Sequence, residues 1–258
     1  MSEAILQMVR LRSGEFGTWI VLYMGILAAW TGLFFMATQS DLAALNATGM
    51  SLWGALCAAG AEGRFPAVLA MWIIMAAGMM LPTAVPAFLT YSDLSQSGAG
   101  RVWPVIAGYL LVWIGFAVLA AGVQVFLAGL GHLDATGRSL NLWLTAGLLG
   151  LAGAWQLTNL KDACLSKCRQ PLTFFMQYWK PGNRAGVLMG LRLGAICLAC
   201  CWALMALAFV GGLMSLIWMG LATVLMTFEK LPRFGAVLTR PLGFALLGGS
   251  VAALLAAL

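Results

Sequence analysis

Three cysteines in a stretch of five residues form the most reactive cluster in this sequence. Cys197, Cys200 and Cys201 lie within GVLMGLRLGAICLACCWALM, residues 186–205. In a helix, Cys197 and Cys201 share one side, and Cys200 and Met205 lie at the edges of that sector. These cysteines either pack as small hydrophobes or, as thiolates, bind a soft metal ion inside a helix bundle.

A second pair of cysteines, Cys164 and Cys168, lies four residues apart in ACLSKCRQP, residues 163–171. This spacing places both thiols on one face of a helical turn. Lys167 and Arg169 are basic neighbours, and nearby positive charge lowers the pKa of a thiol and favours the thiolate. The pattern predicts two further metal ligands. The alternative is two ordinary thiols beside a charge cluster that sets membrane topology.

Methionines recur at four-residue intervals in MWIIMAAGMMLPTAVP, residues 71–86. The candidate thioether residues are Met71, Met75, Met79 and Met80. A four-residue repeat drifts by only about 40° per step around a helix, and Pro82 and Pro86 favour a kink. One interpretation is a packing seam of adaptable side chains. The other is a relay in which Met75 and Met79 pass on Cu(I), which thioethers bind well.

Glycines repeat with the same four-residue spacing in the cysteine-rich segment. The members nearest the cysteines are Gly186, Gly190 and Gly194. Small residues at this spacing allow a neighbouring membrane helix to approach closely. The repeat therefore predicts a helix-packing face in the same sector as Cys197 and Cys201.

Two polar residues near predicted helix ends are further functional candidates. Gln156 lies near the inner end of one apolar segment, and Glu229 ends another in EKLPRFG, residues 229–235. An acidic group at a helix end is expected to pair with a neighbouring cation, here Lys230 or Arg233. The alternative gives Glu229 a role in charge balance or proton coupling within the membrane.

The elements that carry these residues are predicted to lie in a membrane. Of 258 residues, 62% are hydrophobic and 9% are charged, whereas a soluble domain carries about 25% charged residues. The net charge of +6 comes from basic residues that punctuate apolar segments, which is typical of membrane topology rather than of nucleic-acid binding. His132 is the one histidine, which excludes bis-histidine haem and histidine-rich zinc sites. No nucleotide cofactor is expected.

Seven apolar segments reach the length of about 20 residues that a bilayer span requires. They are residues 17–38, 65–89, 102–130, 140–160, 185–210, 212–228 and 236–258. With a cytoplasmic N-terminus, twelve of the 14 basic residues lie at the inner face, and only Arg64 and Arg138 lie outside. Gly211 and Gly212 predict a tight helical hairpin between the fifth and sixth spans. The prediction is an all-α bundle of about seven spans, a single membrane domain over residues 1–258, with a periplasmic C-terminus.

Two other apolar segments are predicted not to span. If residues 42–60 crossed the membrane, the six basic residues from Lys161 to Arg192 would move outside. The segment is therefore interpreted as a helix on the outer face. Residues 171–179, PLTFFMQYW, are aromatic and apolar but too short to cross. They are interpreted as an interfacial or re-entrant segment.

Four segments occur in order within residues 65–240. They are MWIIMAAGMMLPTAVP, QLTNLKDACLSKCRQP, GLRLGAICLACCWALMALAFVGGLMSLIWM and EKLPRFG. Together they resemble successive blocks of a bacterial family of unknown function, catalogued as predicted metal-binding integral membrane proteins. The resemblance implies a multi-span inner-membrane protein with a metal site, and it implies no established reaction.

The sequence departs from the family pattern at three positions. Members of the family often carry histidine at the position of Leu193, sometimes histidine at Lys167, and commonly asparagine at Ser215. The remaining donors are thiols and thioethers. This softer set favours a cuprous ion over zinc.

The leading hypothesis is a Cu(I)-binding protein of the bacterial inner membrane that transports, stores or delivers copper. Its ligands would be Cys197, Cys200 and Cys201 (the cysteine trio) with Cys164 and Cys168, and its partners the lipid bilayer and a copper-accepting protein. The second hypothesis is a non-catalytic subunit of a larger membrane complex. A membrane thiol oxidoreductase ranks third, because adjacent cysteines form a strained disulfide. No catalytic residue and no nucleic-acid partner is predicted.

Overall fold

The computed structural model describes residues 16–43, 64–95, 101–134, 136–231 and 235–258. The predicted outer-face helix at residues 42–60 lies outside these ranges, apart from Leu42 and Ala43 at the end of the first helix. Within these ranges the chain is helical, with an isolated β-bridge between Leu133 and Ser139. The all-α prediction is confirmed for this part of the chain.

The helices of the described residues follow one another in a simple order. They are α1 Phe16–Ala43, α2 Phe65–Ser95, α3 Trp103–Gly129, α4 Leu142–Gln156, α5 Asn159–Arg169, α6 Pro171–Tyr178, α7 Asn183–Ala206, α8 Ala208–Gly211, α9 Leu216–Lys230 and α10 Gly235–Ala257. The predicted interfacial segment at residues 171–179 forms α6, which packs on α2 through the ring contact between Phe175 and Tyr91.

Among the described residues, five helical segments are long and apolar enough to cross a membrane: α1, α2, α3, α7 continued through α8, and α10. This set is compatible with a multi-pass membrane protein. The other two predicted spans contain α4 and α9, which have 15 residues each. A helix of that length covers about 22 Å, less than a hydrocarbon core of about 30 Å. Length and composition therefore identify five of the seven predicted spans.

Helix α2 is heavily buried and continues through two prolines. Pro82 lacks the N–H group that would bond the carbonyl of Gly78 one turn earlier. The indole nitrogen of Trp30 in α1 donates to that carbonyl instead, at 3.0 Å. The unpaired carbonyl is thus satisfied, and the same bond joins α1 to α2.

Small residues bring α3 and α7 into close contact. The glycines that face α3 are Gly186, Gly190 and Gly194. A Cβ atom on Gly190 would overlap the backbone carbonyl of Val105, and one on Gly108 of α3 would overlap the carbonyl of Val187. The two backbones therefore touch, and this contact holds Tyr109 of α3 beside the cysteines of α7.

Replacing Gly190 by alanine is expected to lower the stability of the protein by about 1–3 kcal/mol, because the added methyl group must displace the backbone of Val105. Gly220→Ala in α9 is the matched control, since a Cβ atom there meets nothing within 4 Å. That change should be neutral or stabilising by up to about 1 kcal/mol. Thermal denaturation of both variants in detergent checks the contrast. Equal stability of the two variants would contradict close packing of α3 on α7.

A tight turn reverses the chain after α8, where the hairpin was predicted. Gly212 has a φ of +92°, which glycine adopts without strain, and a Cβ atom on Gly211 would overlap the ring of Trp218. Ser215 then caps α9 by accepting a hydrogen bond from the backbone N–H of Trp218. Cys197 lies 15 residues before Gly212, and Lys230, at the end of α9, lies 18 residues after it. The two residues are therefore at similar distances along the chain from this turn.

Candidate metal centre

The cysteine trio lies on one side of α7 and is almost completely buried. The three sulfur atoms lie within 4.8 Å of one another, and the residues are only 2%, 1% and 2% exposed in chain order. The Sγ atoms of Cys200 and Cys201 are 3.3 Å apart, and the Cys200 thiol donates to the carbonyl of Cys197 at 3.1 Å. Three soft donors therefore converge on one volume without help from another helix.

Lys230 of α9 brings a positive charge to the cysteine trio. Its Nζ atom donates to the Sγ atom of Cys197 at 3.2 Å and to the hydroxyl of Thr83 in α2 at 2.6 Å. An ammonium group at this distance stabilises a thiolate by charge and by hydrogen bonding. The contact therefore favours the form of cysteine that binds metal.

Tyr109 of α3 also contacts the cysteine trio, from a different helix than Lys230. Its hydroxyl oxygen lies 3.1 Å from the Sγ atom of Cys197 and 3.1 Å from the carbonyl oxygen of Met80. A tyrosine hydroxyl has one hydrogen to donate. It donates to Met80 when Cys197 is a thiol that donates in turn, and it can donate to Cys197 when the sulfur is a thiolate.

A cavity of about 270 Å³ opens beside Cys197. Its polar and sulfur-bearing lining is Thr83, Thr90, Tyr109, Cys168, Arg169, Cys197, Thr227 and Lys230. Exposed residues at its edge include Pro86 and Leu231, so the cavity reaches the protein surface. Leu193 also lines it. The position one turn before Cys197 thus faces the same space as the cysteine.

The two cysteines of α5 differ in their relation to this cavity. Cys168 lines the cavity and is close enough to interact with the thiol of Cys200. Cys164 is half-buried. Burial raises the pKa of its thiol above the ordinary value, and Lys167 offsets this only in part. Lys167 thus lowers the pKa of Cys164 as predicted, but burial outweighs this effect and the thiolate is not favoured.

The methionines of α2 belong to the buried core. Their exposed fractions do not exceed 3%: Met71, Met75, Met79 and Met80. From α2, the lining of the cavity begins at Pro82, so the thioethers of Met75 and Met79 lie before the cavity along this helix. Met205 of α7 is likewise buried. Tyr109 contacts both the carbonyl of Met80 and the sulfur of Cys197, and it thereby connects these methionines with the cysteine trio.

A buried ion pair joins α5 to α9. The Nζ atom of Lys161 in α5 donates to both carboxylate oxygens of Glu229, at 3.1 and 2.9 Å, and the two side chains are 0% and 2% exposed. The amide nitrogen of Gln156 donates to the same carboxylate at 2.8 Å. The network ties together α4, α5 and α9.

This ion pair corrects the expected partner of Glu229. The sequence predicted Lys230 or Arg233, but the carboxylate pairs with Lys161, and Arg233 lies outside the described residues. Neighbouring residues of a helix point about 100° apart. Lys230 therefore points away from the Glu229 carboxylate and reaches Cys197.

Three residues of the site were missed by sequence reasoning: Thr83, Tyr109 and Lys230. Each contacts Cys197 or a group bonded to it, yet each comes from a helix other than α7. The sequence shows Lys230 as a cation just after the predicted span 212–228 and Tyr109 as a phenol within the predicted span 102–130. Only the tertiary contacts identify their partner.

The comparison with protein families matches residues 69–253 to a family named PpoB2 and described as a copper chaperone. The match covers more than half of the chain and includes the cysteine trio, Cys168 and Lys230. It confirms the family resemblance seen in the sequence. No curated protein and no solved structure matches the chain.

Proposed function

We propose, since this chain belongs to the PpoB2 family of copper chaperones, that it binds copper as Cu(I) at the cysteine trio and passes it to an acceptor. The observation that carries the proposal is the convergence of three buried thiols within 4.8 Å. Thiolate sulfur is a preferred ligand of Cu(I), and two or three such donors complete its small coordination shell. Cys168, at the cavity, is a further ligand in this proposal, and Cys164 lies one turn before it.

Charge balance supports the assignment. Cu(I) held by two thiolates carries one net negative charge, which is costly inside a bundle of apolar helices. The ammonium group of Lys230, 3.2 Å from Cys197, offsets that charge. A divalent ion held by all three cysteines would also carry one net negative charge. However, the lining residues that the structure describes include no imidazole, and this favours the softer ion.

The proposed setting is the bacterial inner membrane. The chain would span it about seven times, with a cytoplasmic N-terminus and a periplasmic C-terminus, because this orientation leaves most basic residues inside. Arg169 and Lys230 belong to that inner set. The mouth of the cavity would then face the cytoplasm.

Full-length protein, purified anaerobically in detergent and loaded with Cu(I), is expected to retain about one copper per chain in sulfur coordination. Metal analysis gives the stoichiometry, and X-ray absorption at the copper edge identifies the donor atoms. Zinc supplied in equal amount should not displace the copper. Protein that retains no copper after loading would overturn the proposal.

The thioethers of Met75 and Met79 are proposed to relay copper towards or away from the cysteine trio. Met75→Leu/Met79→Leu preserves volume and apolar character, so the stoichiometry at the cysteines should remain unchanged. The rate at which loaded protein gives up copper to a chelator should fall severalfold. An unchanged rate would leave both residues with a packing role only.

A further inference from the structure

The cavity beside Cys197 is positively charged. Lys230 and Arg169 both line it, and among the lining residues that the structure describes there is no carboxylate. Glu229, the residue before Lys230, has its carboxylate bonded to Lys161 and Gln156. Its charge is therefore already compensated and does not offset the two cations of the cavity.

Arg169 has a free donor in this region. Its Nε atom donates to the backbone carbonyl of Glu229 at 2.9 Å. Its Nη2 atom is buried and has no hydrogen-bond partner among the residues that the structure describes. A buried guanidinium donor without a partner costs free energy, and this atom lies close to Gly235. The positive charges of Arg169 and Lys230 in the lining of the cavity thus favour an anion.

Two fixed cations select between the chemical forms in which Cu(I) arrives. A bare or solvent-bound cuprous ion is a cation and is repelled by Lys230 and Arg169. Cu(I) bound by two small thiolates is an anion and is attracted by the same charges. Inside a partly buried cavity such interactions are screened less than in water. The arrangement that disfavours the free ion therefore favours the complex.

We propose that the cavity admits Cu(I) as an anionic complex with small, carboxylate-bearing thiols, and that Arg169 and Lys230 recognise this complex before copper passes to Cys197. The inference rests on the proposed copper-binding function. The cavity volume of about 270 Å³ is just below the range for small-molecule sites, on the order of 300–1,000 Å³. It holds copper with one carrier thiol, and the second carrier stays at the mouth, where the cavity reaches the protein surface.

The transfer is a ligand exchange that balances without a redox partner. The sulfur of Cys197 forms a bond to copper, one carrier thiolate leaves, and that thiolate takes the proton released by Cys197. A second exchange with Cys201 releases the second carrier as a thiol. Copper stays Cu(I), and its core of one copper and two thiolates keeps one net negative charge at each stage, so Lys230 remains the counter-ion of that core.

The test compares copper uptake from two donors by the full-length protein. One donor is the Cu(I)–glutathione complex, which is anionic, and the other is Cu(I)–acetonitrile, which is cationic. Arg169→Gln should lower the ratio of the two uptake rates, glutathione over acetonitrile, by about tenfold, because electrostatic attraction raises association rates by about 10–1,000-fold. Lys167→Gln is the matched control. It removes one charge from the exposed surface of the same helix and should leave the ratio unchanged.

Arg169→Lys separates charge from structure, since it retains the cation and should preserve most of the ratio. A ratio unaffected by Arg169→Gln, or lowered equally by Lys167→Gln, would overturn the inference and leave the copper function standing. Failure of the unmodified protein to take copper from either donor would instead refute the proposed function itself.

Discussion

Replacing Cys197 and Cys201 together by serine is expected to reduce retained copper from about one per chain to background. The two sulfurs lie on one side of α7 with Cys200 beside them, so the double change leaves one thiol of the cysteine trio. Cys200 and Cys168 then remain without the thiolate that Lys230 stabilises at Cys197, and we expect them not to hold Cu(I) against competing thiols in solution, since hydroxyl oxygen is a poor ligand for this soft ion. Metal analysis after anaerobic loading and gel filtration measures the loss.

Cys164→Ser is the control for this experiment. It removes a half-buried thiol outside the cysteine trio, and the copper content should stay close to that of the unmodified protein. Helical circular dichroism and elution volume show whether each variant is folded. Retention of copper by a folded Cys197→Ser/Cys201→Ser protein would assign the cysteine trio to packing alone.

Glu229→Gln is expected to destabilise the protein by about 3–5 kcal/mol, because it leaves the Lys161 ammonium buried without a counter-charge. Both side chains are shielded from solvent, at 0% and 2% exposure, so water cannot compensate the loss. Lys161→Met should cost a similar amount, since it leaves the carboxylate unpaired. Thermal denaturation in detergent would show a large fall in midpoint for each single variant.

The double variant Lys161→Met/Glu229→Leu tests whether the cost arises from unpaired charge. Replacing both members of a buried pair by apolar residues is often neutral, so the double variant should recover most of the lost stability. Lys167→Met, at an exposed position, should change stability by less than about 0.5 kcal/mol. Additive losses in the double variant would contradict the interpretation.

The helical fold could be predicted from composition and apolar length, because in a membrane the backbone must satisfy its own hydrogen bonds. The turn at Gly212 could also be predicted, since adjacent glycines interrupted the apolar run. The lengths of α4 and α9 could not. Ser215 caps α9 and Asn141 caps α4, so each helix begins inside an apolar segment that the hydropathy pattern treats as continuous.

The cysteine trio could be predicted because its members are neighbours on one helix, where sequence spacing determines geometry. The surroundings of Cys197 could not, since Lys230 and Tyr109 come from α9 and α3 and reach it only through tertiary packing. The position of Cys168 beside Cys200 depends in the same way on how α5 packs against α7. Their spacing on α5 predicts the same role for Cys164 and Cys168. Helix packing instead places Cys168 at the cavity and Cys164 one turn before it.

All three sulfurs of the cysteine trio come from a single turn of α7, and this has a thermodynamic consequence. A metal site assembled from distant segments exists only in the folded chain, so the binding free energy adds to the folding free energy. Three cysteines within five residues are close together in the unfolded chain as well, and metal binding to the unfolded state weakens that linkage. In the proposed function, occupancy by copper and stability of the fold would therefore be only weakly coupled. The protein would lose copper without losing its structure.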